Sequence, residues 1–380
     1  MESILNAGLG IGVFMFLLLL FKKKKNRSDY LFLGWLAVTL GQITFYEITI
    51  YRCQIEGLWA IICFALPLLG APTLFLYILS LTGHRVSWKT ILLHLGIYIV
   101  YVLIFFILQQ KEDLLLVAKN GIINPDEKPL WWLQYYAVPL AISAFMYCVW
   151  DLILLSRHRA NILDYFSFEE KVNLKWVSYV VNSYFILFLA TSFLIFGAVQ
   201  FQLFPVEKAF TLVGICLSTM VIAFGFYGFR QTAIFTNTDL QKISRLSTNS
   251  KTTQNALYSK SGLTIEKIKS LAKHLTEHME TEKPFLNENL NLSILAEKSE
   301  ISQSHISQVI NQHFEMHFYD FINRYRVEEA KKKLSSPDFD HLSVLGIAFD
   351  CGFKSKSSFN RYFKKYTGIS PSEFKKNNTN

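Results

Sequence analysis

Near the C-terminal end, one short stretch holds Lys354, Lys356, Ser357, Asn360, Arg361 and Lys364. An arginine fork pairs with the O6 and N7 of guanine, and an asparagine amide does the same for adenine. Asn360 and Arg361, side by side, therefore suit the reading of base edges in a DNA major groove. The lysines suit phosphates. Residues 354–376 carry Lys354, Lys356, Arg361, Lys364, Lys365, Lys375 and Lys376 against Glu373 alone, a balance that anchors a polyanion. A second, neutral set precedes it: Gln303, Ser304, Ser307 and Gln308, in a stretch, 302–312, without Lys or Arg. Contacts from that set would be neutral, or made by backbone amides at a helix N-terminus.

Groups of this kind need a helix to aim them, and the local signals supply one twice. Ser302 is a natural N-cap. Ile306, Val309 and Ile310 then form an inward stripe that leaves Gln303, Ser304, Ser307 and Gln308 outside. A preceding helix over 293–300 and a turn at Ile301 complete a helix-turn-helix. The second copy has Ser343 as cap, a helix to Cys351, and Gly352 as the left-handed stop. Its next helix, about 355–366, turns Phe359, Tyr362 and Phe363 inward and Lys356, Ser357, Asn360, Arg361 and Lys364 outward. Ser370 caps a last helix with Pro371 at its first position. Between the copies, 317–334 reads as one long helix with Phe318, Phe321, Ile322, Tyr325, Ala330 and Leu334 on a broad apolar face. A helix from Thr264 carries Ile265, Ile268, Ala272, Leu275 and Met279; this stripe suits packing onto the same domain better than a dimer seam, being short for a coiled coil.

The remainder of the chain has a different composition. Of 380 residues 51% are hydrophobic and 18% charged, and the apolar residues lie almost wholly before Arg230. A helix crosses a bilayer with about 20 apolar residues. Seven stretches meet that length: 4–21, 30–50, 58–81, 90–108, 131–155, 179–203 and 209–229. The first is followed, not preceded, by KKKKNR, which marks a retained span rather than a cleaved leader. Pro67, Pro72 and Pro139 should kink the third and fifth spans. With the N-terminus outside, the inner loops hold Lys22, Lys23, Lys24, Lys25, Arg27, Arg85, Lys89, Arg157, Arg159, Lys171 and Lys175. The outer ones hold Arg52, Lys111, Lys119, Lys128 and Lys208. That bias sets the N-terminus outside and the C-terminus in the cytoplasm. The net charge of +9 fits both the loop bias and a DNA-binding tail.

No large outer domain is present, since the longest outer loop is 109–130, followed by Trp131 and Trp132. A signal would enter through the bundle, this loop or the lipid. Ionisable residues within spans are the sensing candidates: Glu47, His94 and Asp151, with Gln42 and Asn182 as neutral ones. Each could equally serve as a helix-helix hydrogen bond or reach to the interface. Cys53, Cys63, Cys148, Cys216 and Cys351 are scattered, which predicts neither a disulfide framework nor zinc. His274 and His278, at i and i+4, lack a supporting carboxylate, so no metal is expected. No Walker loop, H-E-x-x-H, kinase signature or G-x-S-x-G occurs, so neither an enzyme nor a cofactor is expected. A transporter or channel with a regulatory tail stays as the alternative, although no inverted repeat is visible.

The runs LSILAEKSEISQSHISQVIN, FYDFINRYRVEEAKKKL and GIAFDCGFKSKSSFNRYFKKYTGISPSEF together resemble the DNA-binding domain of the AraC/XylS family of bacterial transcription regulators, over residues 284–376. The resemblance implies a seven-helix domain whose two recognition helices enter successive major grooves. By that likeness Ser304, Ser307 and Gln308 would face one groove, and Lys356, Ser357, Asn360 and Arg361 the other. Many members carry a soluble ligand-binding domain ahead of it, where this chain carries apolar spans.

The expected protein is all-α: a seven-span bundle over 1–230, a helical extension and polar linker over 231–263, and a double helix-turn-helix domain over 264–380. Its expected place is the bacterial cytoplasmic membrane, multi-pass, as a regulator coupling a membrane or outside signal to gene expression. The expected partners are double-stranded DNA and the lipid bilayer, with a homodimer and an unknown signal ligand left open.

Overall fold

The computed structural model describes residues 2–51, 54–84, 86–111, 116–119, 122–125, 133–168, 174–201, 203, 206–232 and 263–378. Cys53, Arg85, Trp131, Trp132, Lys171 and nearly all of the expected extension and linker lie outside them. The chain divides into two compact units, one of Met1–Ser156 with Leu174–Arg245 and one of Arg157–Asn173 with Leu246–Asn380. A stretch that the sequence assigns between two apolar helices, 157–173, thus belongs to the C-terminal unit.

The first unit holds helices α1 (Glu2–Leu20), α2 (Arg27–Tyr51), α3 (Gly57–Phe64), α4 (Pro67–Leu81), α5 (Trp88–Lys111), α6 (Leu133–Tyr165, to Ser156), α7 (Lys175–Phe201) and α8 (Val206–Thr232). Among the described residues six segments are long and apolar enough to cross a membrane, not seven. In α8, 27 residues long, the apolar stretch found among the described residues is Thr211–Phe224. The expected single span 58–81 is two helices. Pro67 has no N–H to donate and opens α4 at its first turn, so the helix restarts there. Pro72 and Pro139 lie inside α4 and α6.

This unit has an apolar core around Leu36, Trp35, Tyr77 and Phe224, yet it also exposes large apolar groups and buries polar ones. Large apolar groups point outward, among them Phe14, Leu93, Ile97, Ile186 and Phe193, while Asp29, Thr39, Gln42, Glu47, Thr49 and Asp151 are buried. Buried hydroxyls bond within their own helix: Thr39 to the Trp35 carbonyl at 3.0 Å, Thr49 to Phe45 at 2.8 Å, Ser218 to Gly214 at 2.9 Å. Asp29, in the first turn of α2, accepts from the Lys22 ammonium at 2.8 Å and the Asn26 amide at 2.7 Å, closing the α1–α2 turn. Trp35 stacks on Phe32 and leans on Phe224. Where α1 meets α8, a Cβ on Gly8 would stand 2.3 Å from that of Ser218. Only small residues permit so close an approach, the kind that helix packing in lipid favours.

One part is not helical, against the all-α expectation. Strands β1 (Ile55–Glu56), β2 (Leu116–Lys119) and β3 (Ile122–Pro125) form an antiparallel sheet in the order β1-β2-β3, with Val117 opposite both Glu56 and Asn124. Pro125 sits on the edge strand, where a missing N–H costs no ladder bond. The readable signal was Asn120–Gly121 between two apolar pairs, a turn dipeptide of two-residue hairpins. These two residues lie outside those described.

In the second unit α9 (Ile265–Thr281) is followed by α10 (Leu292–Ser299), α11 (Gln303–Gln312), α12 (Phe318–Leu334), α13 (Val344–Asp350), α14 (Lys356–Thr367) and α15 (Pro371–Asn378). Four of the expected caps bond as such: Thr264 accepts from the Lys267 amide, Ser302 from His305, Ser343 from Gly346 and Ser370 from Glu373; Ser355, not foreseen as a cap, accepts from Ser358. Two apolar cores result. One gathers Ala272, Leu275 and Met279 of α9 with Leu295, Ile306, Val309 and Ile310. The α9 stripe is thus spent on its own domain, although Ile265 stays exposed. The other gathers Ile347, Ala348, Cys351, Phe353, Phe359 and Phe363. Helix α12 serves both, with Phe318, Phe321 and Ile322 in the first and Tyr319, Val327, Ala330 and Leu334 in the second. Its expected broad apolar face is therefore two faces. Burial pushes the Cys351 thiol up to about 12, so it is a neutral core group at physiological pH.

Gly352 ends α13 with φ +84°, and a Cβ there would lie 2.5 Å from the Phe285 carbonyl oxygen. Both the backbone angle and the space exclude a side chain. Gly352→Ala is expected to destabilise this unit by about 2 kcal/mol. Hydrogen exchange of the full chain should then quicken across 265–378 and stay unchanged in α1 to α5.

Candidate nucleic-acid interface

Helix α14 is the better-defined reading element. Phe359, Tyr362 and Phe363 hold its inner face, and Ser358 is buried with them. Lys356, Ser357, Asn360, Arg361 and Lys364 are all exposed on the other side. Arg361 is nevertheless steadied at its base. Its guanidinium donates to the Tyr319 hydroxyl at 2.8 Å and lies 5.1 Å from the Tyr362 ring centroid. Such a tether orders a long side chain before any ligand arrives, which lowers the entropy lost on contact.

The basic residues of 354–376 are not equivalent. Lys365 pairs with Asp320 at 2.7 Å and lies over the rings of Tyr362 and Tyr366. Lys375 pairs with Asp340 at 3.6 Å. Lys354, half-buried, donates to Asn289 Oδ1 at 2.7 Å and sits 3.5 Å from the Phe168 ring centroid. Lys356 and Lys364 stand out to solvent. Outside these ion pairs the outward cations are Lys356, Arg361, Lys364 and Lys376, with Lys365 exposed but paired.

Helix α11 departs from expectation at one residue. Ser304 is exposed and Gln303 and Ser307 are half-buried, but Gln308 is 2% exposed. Its amide donates to Gln312 Oε1 at 3.1 Å. The covered arc of α11 is wider than the stripe Ile306, Val309 and Ile310 because α9 packs along it beside α10 and α12. Gln308 is thus a buried position, not an outward one. Gln303 donates to the Ser293 hydroxyl at 3.1 Å, tying the two helices of the first motif together.

Sequence reasoning missed Arg326. It lies on α12 in register with Ile322 and Ala330, four residues to either side, and is 1% exposed. Its guanidinium donates to the carbonyls of Phe285 (2.8 Å), Asn287 (2.8 Å) and Ser167 (3.0 Å), to Asn323 Oδ1 (3.3 Å) and to the Ser167 hydroxyl (3.1 Å). An arginine on an apolar stripe was the signal; its acceptors, remote in sequence, were not readable.

Of the sensing candidates in the first unit, His94 is brought to others. Its Nδ1 lies 2.7 Å from the Tyr147 hydroxyl, and Phe75 and Trp150 pack around it. Asp151, buried, is one turn beyond Tyr147 on α6. Glu47 is buried on α2. Asn182 turns back to the Ser178 carbonyl of its own helix. Among the described residues no group of three or more His, Cys, Asp and Glu gathers as a metal site would.

Residues 295–377 match a helix-turn-helix domain family. The chain is 31% identical over 93 residues to the probable transcription factor PqrA of Proteus vulgaris, covering 24% of this chain and 74% of that one. It is 34% identical over 94 residues to the HTH-type transcriptional activator AarP of Providencia stuartii, covering 25% and 67%. An uncharacterized HTH-type transcriptional regulator of Staphylococcus aureus is 35% identical over 89 residues, which are 23% of this chain and 12% of that one. Through these 83 to 94 residues the chain belongs to the AraC-type helix-turn-helix family of DNA-binding transcription regulators.

Proposed function

We propose that this regulator works from within the bacterial cytoplasmic membrane, joining a state of its apolar bundle to DNA reading by its C-terminal unit. The observation that carries the reading is the apolar outer surface of α1 to α8, beside polar groups held inside. Exposed Phe14, Leu93, Ile186 and Phe193 would be costly in water and are at home in lipid, while buried Thr39, Thr49 and Ser218 satisfy themselves on their own helices. The lysine run 22–25 and the larger share of Lys and Arg in the alternate loops after it support an N-terminus outside; with α8 as a seventh crossing, the C-terminal unit then lies in the cytoplasm. Signal entry falls to the His94–Tyr147–Asp151 region or to Glu47, where Asp151 and Glu47 are buried and His94 is half-buried.

On DNA, Arg361 and Asn360 would read base edges, Ser357 would assist, and Lys356, Lys364 and, when available, Lys354 would hold phosphates. The first motif would contribute Ser304, with Gln303 and Ser307 at its margin. Having no Lys or Arg, α11 would discriminate without adding to the salt dependence.

Two outcomes follow. A reporter active only outside the membrane should be silent when fused after Lys25 and active when inserted between α5 and α6; the reverse pattern would refute the orientation. Arg361→Ala should lower operator affinity by about 1–3 kcal/mol, roughly 5- to 150-fold, with membrane insertion intact. Crosslinking and sequencing of bound DNA in cells, comparing wild type with this variant, reads that loss as vanished peaks; persistence of the same peaks would remove Arg361 from the reading set.

A further inference from the structure

We propose that residues 162–168 form a latch: this stretch, lying between two apolar helices in the chain, docks across both helix-turn-helix motifs and competes with DNA for Lys354. The proposal rests on the DNA-reading function above. The segment is built into the second unit. Ile162, Asp164, Phe166 and Ser167 are buried, Ser167 to 1% exposure. Tyr165 packs against the core of the first motif and Leu163 against that of the second. Phe166 makes a backbone bridge to Asn291, and the Ser167 hydroxyl donates to the Leu290 carbonyl at 2.6 Å. Arg326 then closes on Ser167 through both its carbonyl and its hydroxyl, and Asn323 donates to the same carbonyl at 3.3 Å.

Two points of the segment engage polar groups of the motifs. Asp164 meets His317, at the N-cap position of α12, at 2.7 Å. Phe168 lies under the Lys354 ammonium, which is one residue before the cap of α14. A cation held over an aromatic face, with Asn289 Oδ1 as a further acceptor, is withdrawn from phosphate. The segment continues directly from α6, whose earlier turns up to Ser156 belong to the first unit. A displacement of that helix would draw Phe168 off Lys354 and give the reading helix one more cation.

The test uses the full chain in lipid nanodiscs with a short random-sequence DNA duplex as probe, titrated at several salt concentrations. Phe168→Ala should bind the duplex roughly threefold more tightly, with a log affinity against log salt slope steeper by about 0.9, the mark of one added phosphate contact. A loss of packing alone would not steepen the slope. Independently, Asp164→Cys with His317→Cys should form a disulfide on oxidation that neither single variant forms, and the oxidised chain should bind the duplex more weakly than the reduced one. Unchanged affinity and slope in Phe168→Ala, or equal binding by oxidised and reduced chains, would overturn the competition; failure of the disulfide to form would overturn the docking. Absence of duplex binding by every form, with the disulfide present, would overturn instead the DNA reading on which the competition rests.

Discussion

A guanidinium buried to 1% exposure must find acceptors for its donors or cost the domain several kcal/mol. Arg326 finds them in three places: the turn of Phe285 and Asn287 ahead of the first motif, Asn323 one turn back on its own helix, and Ser167 from far upstream. The same Phe285 carbonyl bounds the space beside Gly352, so the turn of the second motif is set against the turn that Arg326 grips. Tyr319, three residues before Ile322 on that helix, in turn steadies Arg361. Arg361, at the surface, is thus positioned by a chain of contacts that runs through Tyr319 and Asn323 to one buried charge.

Buried polar groups in the two units find partners in different ways. In the bundle Thr39, Thr49 and Ser218 bond a carbonyl one turn back, which needs no other helix. In the C-terminal unit the answer is long-range, since Ser167 and Arg326 are far apart in sequence. Local satisfaction leaves helices free to slide against one another on small residues such as Gly8. Long-range satisfaction fixes one arrangement, which suits a surface that must present side chains to base edges at defined spacing.

Legibility followed the same division. The caps Thr264, Ser302, Ser343 and Ser370 and the inward stripes of α11 and α14 were readable because each is decided within a few residues. The exposure of Lys356, Asn360 and Arg361 came with those stripes. Gln308 was misread because its burial depends on α9, a helix separated from it in the chain, and the position of Lys354 depends on Phe168 and Asn289. The break before Pro67 was half-legible, read as a kink and found as a restart. The hairpin of β2 and β3 had its turn dipeptide in plain view, set within a loop that the apolar helices on either side drew attention from.

Helix α12 gives one flank to each apolar core. Neither motif can loosen without stripping cover from a helix that the other also uses, so local opening in one raises the free energy of its neighbour. For a cell that turns over its regulators, this makes the reading half an all-or-nothing object. A protease that catches either motif open finds both exposed, and a half-functional remnant able to occupy a promoter with one motif does not persist.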